Sequence, residues 1–119
     1  MIHYNLYGDI KEFDFSVRKL INSVLRTVKK MEKLDTEHVI SFILVDNNRI
    51  HEINRDFRNI DRPTDVISFA TIDSSSDRTL SYELGDIYIS IDKVKEQAKE
   101  YGHSLMREFA FLVTHGTLH

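Results

Sequence analysis

The chain has 119 residues, 41% hydrophobic and 29% charged, with a formal net charge of −3; this fits one globular domain and argues against a disordered tail or a protein that coats nucleic acid by bulk charge. Cysteine is absent, and there are only four glycines and one proline. Disulfide scaffolds, cysteine-bound metals, thiol catalysis and collagen-like or linker classes are therefore excluded, and any metal must sit on His, Asp, Glu or backbone oxygen.

Residues 1–5 show no secretory pattern, and the most apolar run, residues 109–113, is far too short to span a bilayer. A cytoplasmic protein with no membrane role is expected. Ile2, Tyr4 and Leu6 alternate with His3 and Asn5, which predicts an opening strand. Val17, Leu20, Ile21, Val24, Leu25, Val28 and Met31 recur at i, i+3, i+4, i+7 and predict an amphipathic helix over residues 14–33. Its other side carries Arg18, Lys19, Arg26, Lys29, Lys30 and Lys33, which reads as a solvated face with cations near a helix C-terminus rather than an RNA contact. Residues 39–45 are an unbroken β-rich run, consistent with a central strand. Asp46 then caps a short helix whose apolar positions are Ile50, Ile53 and Phe57, and Phe57 and Phe69 are expected in the core.

Residues 66–69 and 84–91 predict two further strands, with a polar loop at 73–77 between them. A third helix follows over 91–101, with Val94, Ala98 and Tyr101 inward and Gly102 as its left-handed stop. The last helix starts near Ser104 and is apolar nearly all round through Val113, so it should be buried. The sum is an α+β fold, a mixed sheet of about four strands packed by helices, in a single domain over residues 1–119. The last helix reaches the chain end without a capping stop, and a bare carboxylate there opposes the helix dipole. The sequence is therefore expected to lack the C-terminal end of its domain.

His115 and His119 stand at i and i+4 on that last helix, so both imidazoles leave one face with Cβ atoms about 6 Å apart, suited to one metal ion. Two ordinary histidines near a helix end give the same spacing. Since the pair continues a buried helix, a metal there would lie at the floor of the structure. Gly116 between them costs about 1 kcal/mol relative to Ala in a helix, which implies either a ligand close to the backbone or tight packing against another element. With Gly rather than Glu after His115, the peptidase pattern H-E-x-x-H lacks its general base, and a zinc protease is disfavoured.

Arg55, Arg58 and Arg62 lie just ahead of Pro63 and the third strand. Guanidinium suits bidentate phosphate contact; alternatively, Asp61 and Asp65 neutralise the arginines in a structural turn. His3, His38, His51 and His103 have no partner at ligand spacing. Asp86 reads either as an acceptor for a loop backbone or as a carboxylate orienting a ligand histidine.

Three segments together resemble the YbeY family of bacterial endoribonucleases and rRNA maturation factors: Asn54-Arg55-x-Phe57-Arg58-x-x-Asp61-x-Pro63-Thr64-Asp65-Val66-Ile67-Ser68-Phe69, then Leu84-Gly85-Asp86-Ile87-Tyr88-Ile89-Ser90, then His115-Gly116-x-Leu118-His119. They occur in the family's order and span residues 54–119. The resemblance implies a single-strand-directed, zinc-dependent endoribonuclease that matures the 3′ end of small-subunit rRNA and serves ribosome quality control. Its partners would be ribosomal RNA and the small subunit. Family members hold one Zn2+ through three histidines, of which two match His115 and His119; the third falls beyond this sequence, and a two-histidine site binds zinc weakly. The family's catalytically important arginine corresponds to Arg58, with Arg55 and Arg62 as candidates for holding the RNA backbone. A ribosome-associated RNA-binding factor with a mainly structural zinc is the alternative.

Overall fold

The computed structural model describes residues 2–8, 10–32, 38–72 and 83–118. Four strands, β1 (Ile2–Gly8), β2 (His38–Val45), β3 (Val66–Ile72) and β4 (Glu83–Ser90), form one sheet in the order β1-β2-β4-β3. β1 pairs parallel with β2 and β2 parallel with β4, while β3 runs antiparallel to β4 at the edge. Four helices are interleaved: α1 (Val17–Glu32), α2 (Asn47–Arg58), α3 (Ile91–Tyr101) and α4 (Leu105–Leu118). The mixed four-stranded sheet and α+β class expected from the sequence are what the structure has. The polar loop expected at 73–77 lies outside the described residues.

Each helix begins at a side chain that accepts from its first turn. Ser16 Oγ accepts from the Lys19 N–H at 3.3 Å, Asp46 Oδ1 from Arg49 at 2.8 Å, Ser90 Oγ from Lys93 at 3.2 Å and Ser104 Oγ from Arg107 at 3.1 Å. These caps explain two shifted boundaries. α1 starts at Val17, after a short 3-10 turn over Ile10–Glu12, and β4 stops at Ser90. Ser90 also donates to Asn47 Oδ1 at 2.7 Å, while the Asn47 N–H donates to Asp92 Oδ2 at 2.8 Å. The starts of α2 and α3 are thereby tied together. Gly102 ends α3 at φ 66, in the left-handed region expected for it.

The sheet separates two cores. On one face α1, α3 and α4 bury Val17, Ile21, Leu25, Val94, Phe109, Leu112 and Val113 against Phe42 and Leu44 of β2 and Ile87 and Ile89 of β4. On the other, Ile50 and Ile53 of α2 pack on Ile67 of β3, beside Val45, Phe69 and Tyr88. β2 therefore feeds both cores, which is why its sequence is apolar on both faces, interrupted only by Ser41 between Val39 and Val45, rather than an alternation.

Three expectations about burial fail. Phe57 is 72% exposed, because it continues the Ile50–Ile53 stripe to the last turn of α2, where its ring partner among the described residues is Phe69. Tyr101 is 58% exposed, its ring set against His103 in the turn after α3. Finally, α4 is not buried all round. Its inward stripe is Glu108, Phe109, Leu112, Val113 and Gly116, while Met106, Phe111 and Leu118 face outward. A helix with apolar residues on every side gives no moment from which its inward face can be read.

Gly116 resolves between its two readings in favour of packing. A Cβ there would meet Ile87 Cγ2 at 2.9 Å and Val66 Cγ2 at 3.1 Å, and the Gly116 carbonyl accepts from Ser68 Oγ at 3.0 Å. Both methyls belong to β-branched side chains with little rotameric freedom. Gly116→Ala is therefore expected to lose about 1–2 kcal/mol, an overpacking cost that exceeds the gain in helix propensity. In urea titration this should lower the midpoint at constant slope; an unchanged or higher midpoint would show that α4 shifts to make room.

Candidate functional site

α2 ends in a motif that shapes everything downstream. Asn59 adopts φ 58, ψ 30, and its N–H donates to Arg55 O at 3.2 Å, while the Ile60 N–H donates to Asn54 O at 3.2 Å. Asparagine tolerates this left-handed conformation, so the helix stops and the chain turns. Asn54 ties the turn a second time. Its side chain, 1% exposed, donates from Nδ2 to Arg62 O at 2.8 Å, and its Oδ1 accepts no hydrogen bond from the described residues. Burial of an amide beside two isoleucines is costly unless it is bonded, and here that bond fixes the position of Arg62. Sequence reasoning did not single out Asn54, although a polar residue one turn after Ile50, within the apolar stripe, was the available signal.

Asp65 fixes the far end of the loop. Its Oδ1 accepts from the Val66 N–H at 2.8 Å, its Oδ2 from Gln97 Nε2 of α3 at 3.3 Å, and its carbonyl from the Ser90 N–H at 2.9 Å. Between these anchors opens a pocket of about 420 Å3, lined by Asn54 and Arg58 of α2, Arg62 and Asp65 of the loop, and Lys93 and Gln97 of α3.

The carboxylates expected to neutralise the arginines are engaged elsewhere. Asp61 lies 2.7 Å from His51 Nε2, and Asp65 is held as described. Arg55 pairs with its neighbour Asp56 at 3.1 Å, and Lys93 approaches Glu96 at 3.5 Å. Arg58 and Arg62 form no ion pair among the described residues. The ion-pair turn is thus corrected, because the acids serve the backbone, His51 and α3. Two arginines line one pocket, a composition suited to an anion with several acceptor oxygens.

His115 lies on α4, exposed, with its ring stacked on Phe111 at 6.1 Å. The site it would form is at the surface of the helix rather than at the floor of the structure, since the inward stripe runs through Leu112, Val113 and Gly116. His119 lies outside the described residues. Among the described residues there is no cluster of three metal-ligating side chains, so His115 is the one described donor of the expected pair. Asp86 does not serve it. On β4, Asp86 alternates with Ile87, which packs toward α4, so its side chain stands on the opposite face of the sheet. His115 and Arg58 flank one segment. Gly116 packs on Val66 and Ser68 at the start of β3, and Arg58 stands at the other end of the loop leading into that strand.

The family model described as Endoribonuclease YbeY matches residues 5–119. A relative from Brevibacillus brevis named Endoribonuclease YbeY is 42% identical over 125 residues, covering 96% of this chain and 77% of its own. One of the same name from Pediococcus pentosaceus is 43% identical, covering 93% and 80%. Among solved structures, the solution structure of a Thermotoga maritima protein aligns with all of this chain and 71% of its own, at a TM-score of 0.58 and 30% identity.

Proposed function

The chain belongs to the Endoribonuclease YbeY family, and from that membership we propose that it is a zinc-dependent endoribonuclease acting on single-stranded ribosomal RNA in the cytoplasm. Its place in this reading is maturation of the small-subunit rRNA 3′ end and ribosome quality control, with the small subunit as partner. One observation carries the chemistry: Arg58 and Arg62, without ion-pair partners among the described residues, line one pocket. No helix of the described residues is long and apolar enough to cross a membrane.

In this reading Arg58 binds non-bridging oxygens of the scissile phosphate and stabilises the charge that accumulates on them. Arg62, held through its carbonyl by Asn54, holds the backbone alongside, and Arg55 adds a more distant cation. His115 and His119 would hold the zinc through imidazole nitrogens. Bound there, zinc supplies Lewis acidity toward a phosphoryl oxygen or a water. The donor chemistry of His115 fits such an ion, whereas the full ligand set is not present among the described residues.

The test is incubation of the protein with a single-stranded RNA and with the same sequence in duplex, before and after a chelator and zinc readdition. The expected result is cleavage of the single strand, lost on chelation and regained with zinc. Binding of RNA without cleavage at every zinc level would overturn the enzyme in favour of an RNA-binding assembly factor.

A further inference from the structure

Phe57 presents a large aromatic surface to solvent in the last turn of α2, one residue before Arg58 of the arginine-lined pocket. The ring is 72% exposed, yet it is not loose: Phe69 meets it in a T-shaped contact at 5.6 Å, and Tyr88 meets Phe69 in another at 5.9 Å. This ladder, built on β3 and β4, braces the ring from the sheet side. A phenylalanine has only two side-chain torsions, so holding it ready for a ligand costs little entropy.

Along α2 the ring stands between Asp56 and Arg58. Arg58 is the next residue, with its Cα about 3.8 Å away, and helical rotation sets its guanidinium on the adjacent face of α2. Arg62 lines the same pocket as Arg58. The nearby acids are engaged, Asp56 by Arg55 and Asp61 by His51. An exposed aromatic alone would suit many partners. One that directly precedes an arginine with no ion pair among the described residues suits a polyanion that also carries flat π-faces, which is an unpaired nucleotide. A base within a duplex is already stacked on both sides and has no face to offer.

We propose that Phe57 is a base-stacking platform that positions an unpaired nucleobase of the RNA beside the phosphate held by Arg58. The inference rests on the endoribonuclease reading and deepens it, because it places the preference for single strands in one positioning residue.

The experiment uses the full chain and a single-stranded RNA oligonucleotide carrying 2-aminopurine, whose emission falls on stacking. Phe57→Ala is expected to weaken single-strand affinity by about tenfold, within the range for one stacked base, and to abolish the quenching. In cleavage it should raise KM with little change in kcat, and it should leave duplex affinity unaltered. Phe57→Tyr should restore affinity and quenching; Phe57→Leu, which keeps apolar contact with Phe69 but has no π-face, should not. Restoration by Leu would overturn the proposal in favour of a general apolar contact, such as one with a protein. Unchanged affinity and quenching in Phe57→Ala would overturn it while leaving the endoribonuclease reading intact. Failure of the wild-type chain to bind or cut RNA would overturn both.

Discussion

Replacing Arg58 with alanine is expected to slow RNA cleavage by about 100- to 1,000-fold, the usual loss when one positioned donor to a developing oxyanion is removed. The fold should tolerate the change. Arg58 is exposed in the last turn of α2 and forms no ion pair among the described residues, and substitutions at such positions usually alter stability by under about 0.5 kcal/mol. Arg58→Lys separates charge from geometry, since an ammonium keeps the charge but loses the fork that grips two oxygens at once. It should recover only part of the lost rate. Kinetics, thermal unfolding and zinc content measured on the same samples decide the outcome. Lost activity with unchanged melting and zinc places Arg58 on the substrate. A parallel fall in melting temperature would make it structural, and retained activity would move the phosphate to Arg62.

The elements of the fold were legible in the sequence where each carries its own local signal. The Asp46 cap, the helix start at Ser104, the left-handed Gly102 and the β-rich run of β2 act over a few residues, and local chemistry decides them; the Ser16 and Ser90 caps went unread, which is why the start of α1 and the end of β4 differ from the expected bounds. Burial was less legible, since a periodic pattern shows which side of a helix faces inward but not how far the partner surface extends. Phe57 keeps the phase of Ile50 and Ile53, yet its one ring partner among the described residues is Phe69 of the edge strand. In α4 the difficulty is reversed. Apolar residues on all sides gave no phase, and only packing on Ile87 and Val66 shows that Gly116 faces the sheet.

The site divides in the same way. The three arginines and the histidine spacing could be read from the chain, whereas the partners of the intervening acids could not. Asp61 is claimed by His51 in the preceding helix and Asp65 by Gln97, 32 residues away. Both contacts depend on how α2 and α3 sit against the loop, which no spacing rule supplies. That Arg58 and Arg62 have no ion pair among the described residues is therefore a tertiary property. It follows from Asn54 and Asp65 pinning the loop at its two ends.

His115→Ala should reduce whatever zinc the chain retains to near zero, as expected when one of few protein ligands to a catalytic zinc is lost. The readout is elemental analysis after dialysis, with RNA cleavage falling in parallel. Because His115 is exposed and the inward stripe of α4 lies on other residues, the fold does not need its side chain, and far-UV dichroism should be unchanged. His103→Ala is the control, since His103 faces Glu108 at 3.5 Å rather than the outer face of α4; its zinc content should match the wild type. The same samples separate a catalytic from a structural metal. Metal binding that is coupled to folding would make the zinc-free chain melt at a much lower temperature, whereas a catalytic ion at a helix surface should shift melting by only a few degrees. Full zinc in His115→Ala would remove α4 from the metal site altogether, and the pocket beside Arg58 would then have to be read without it.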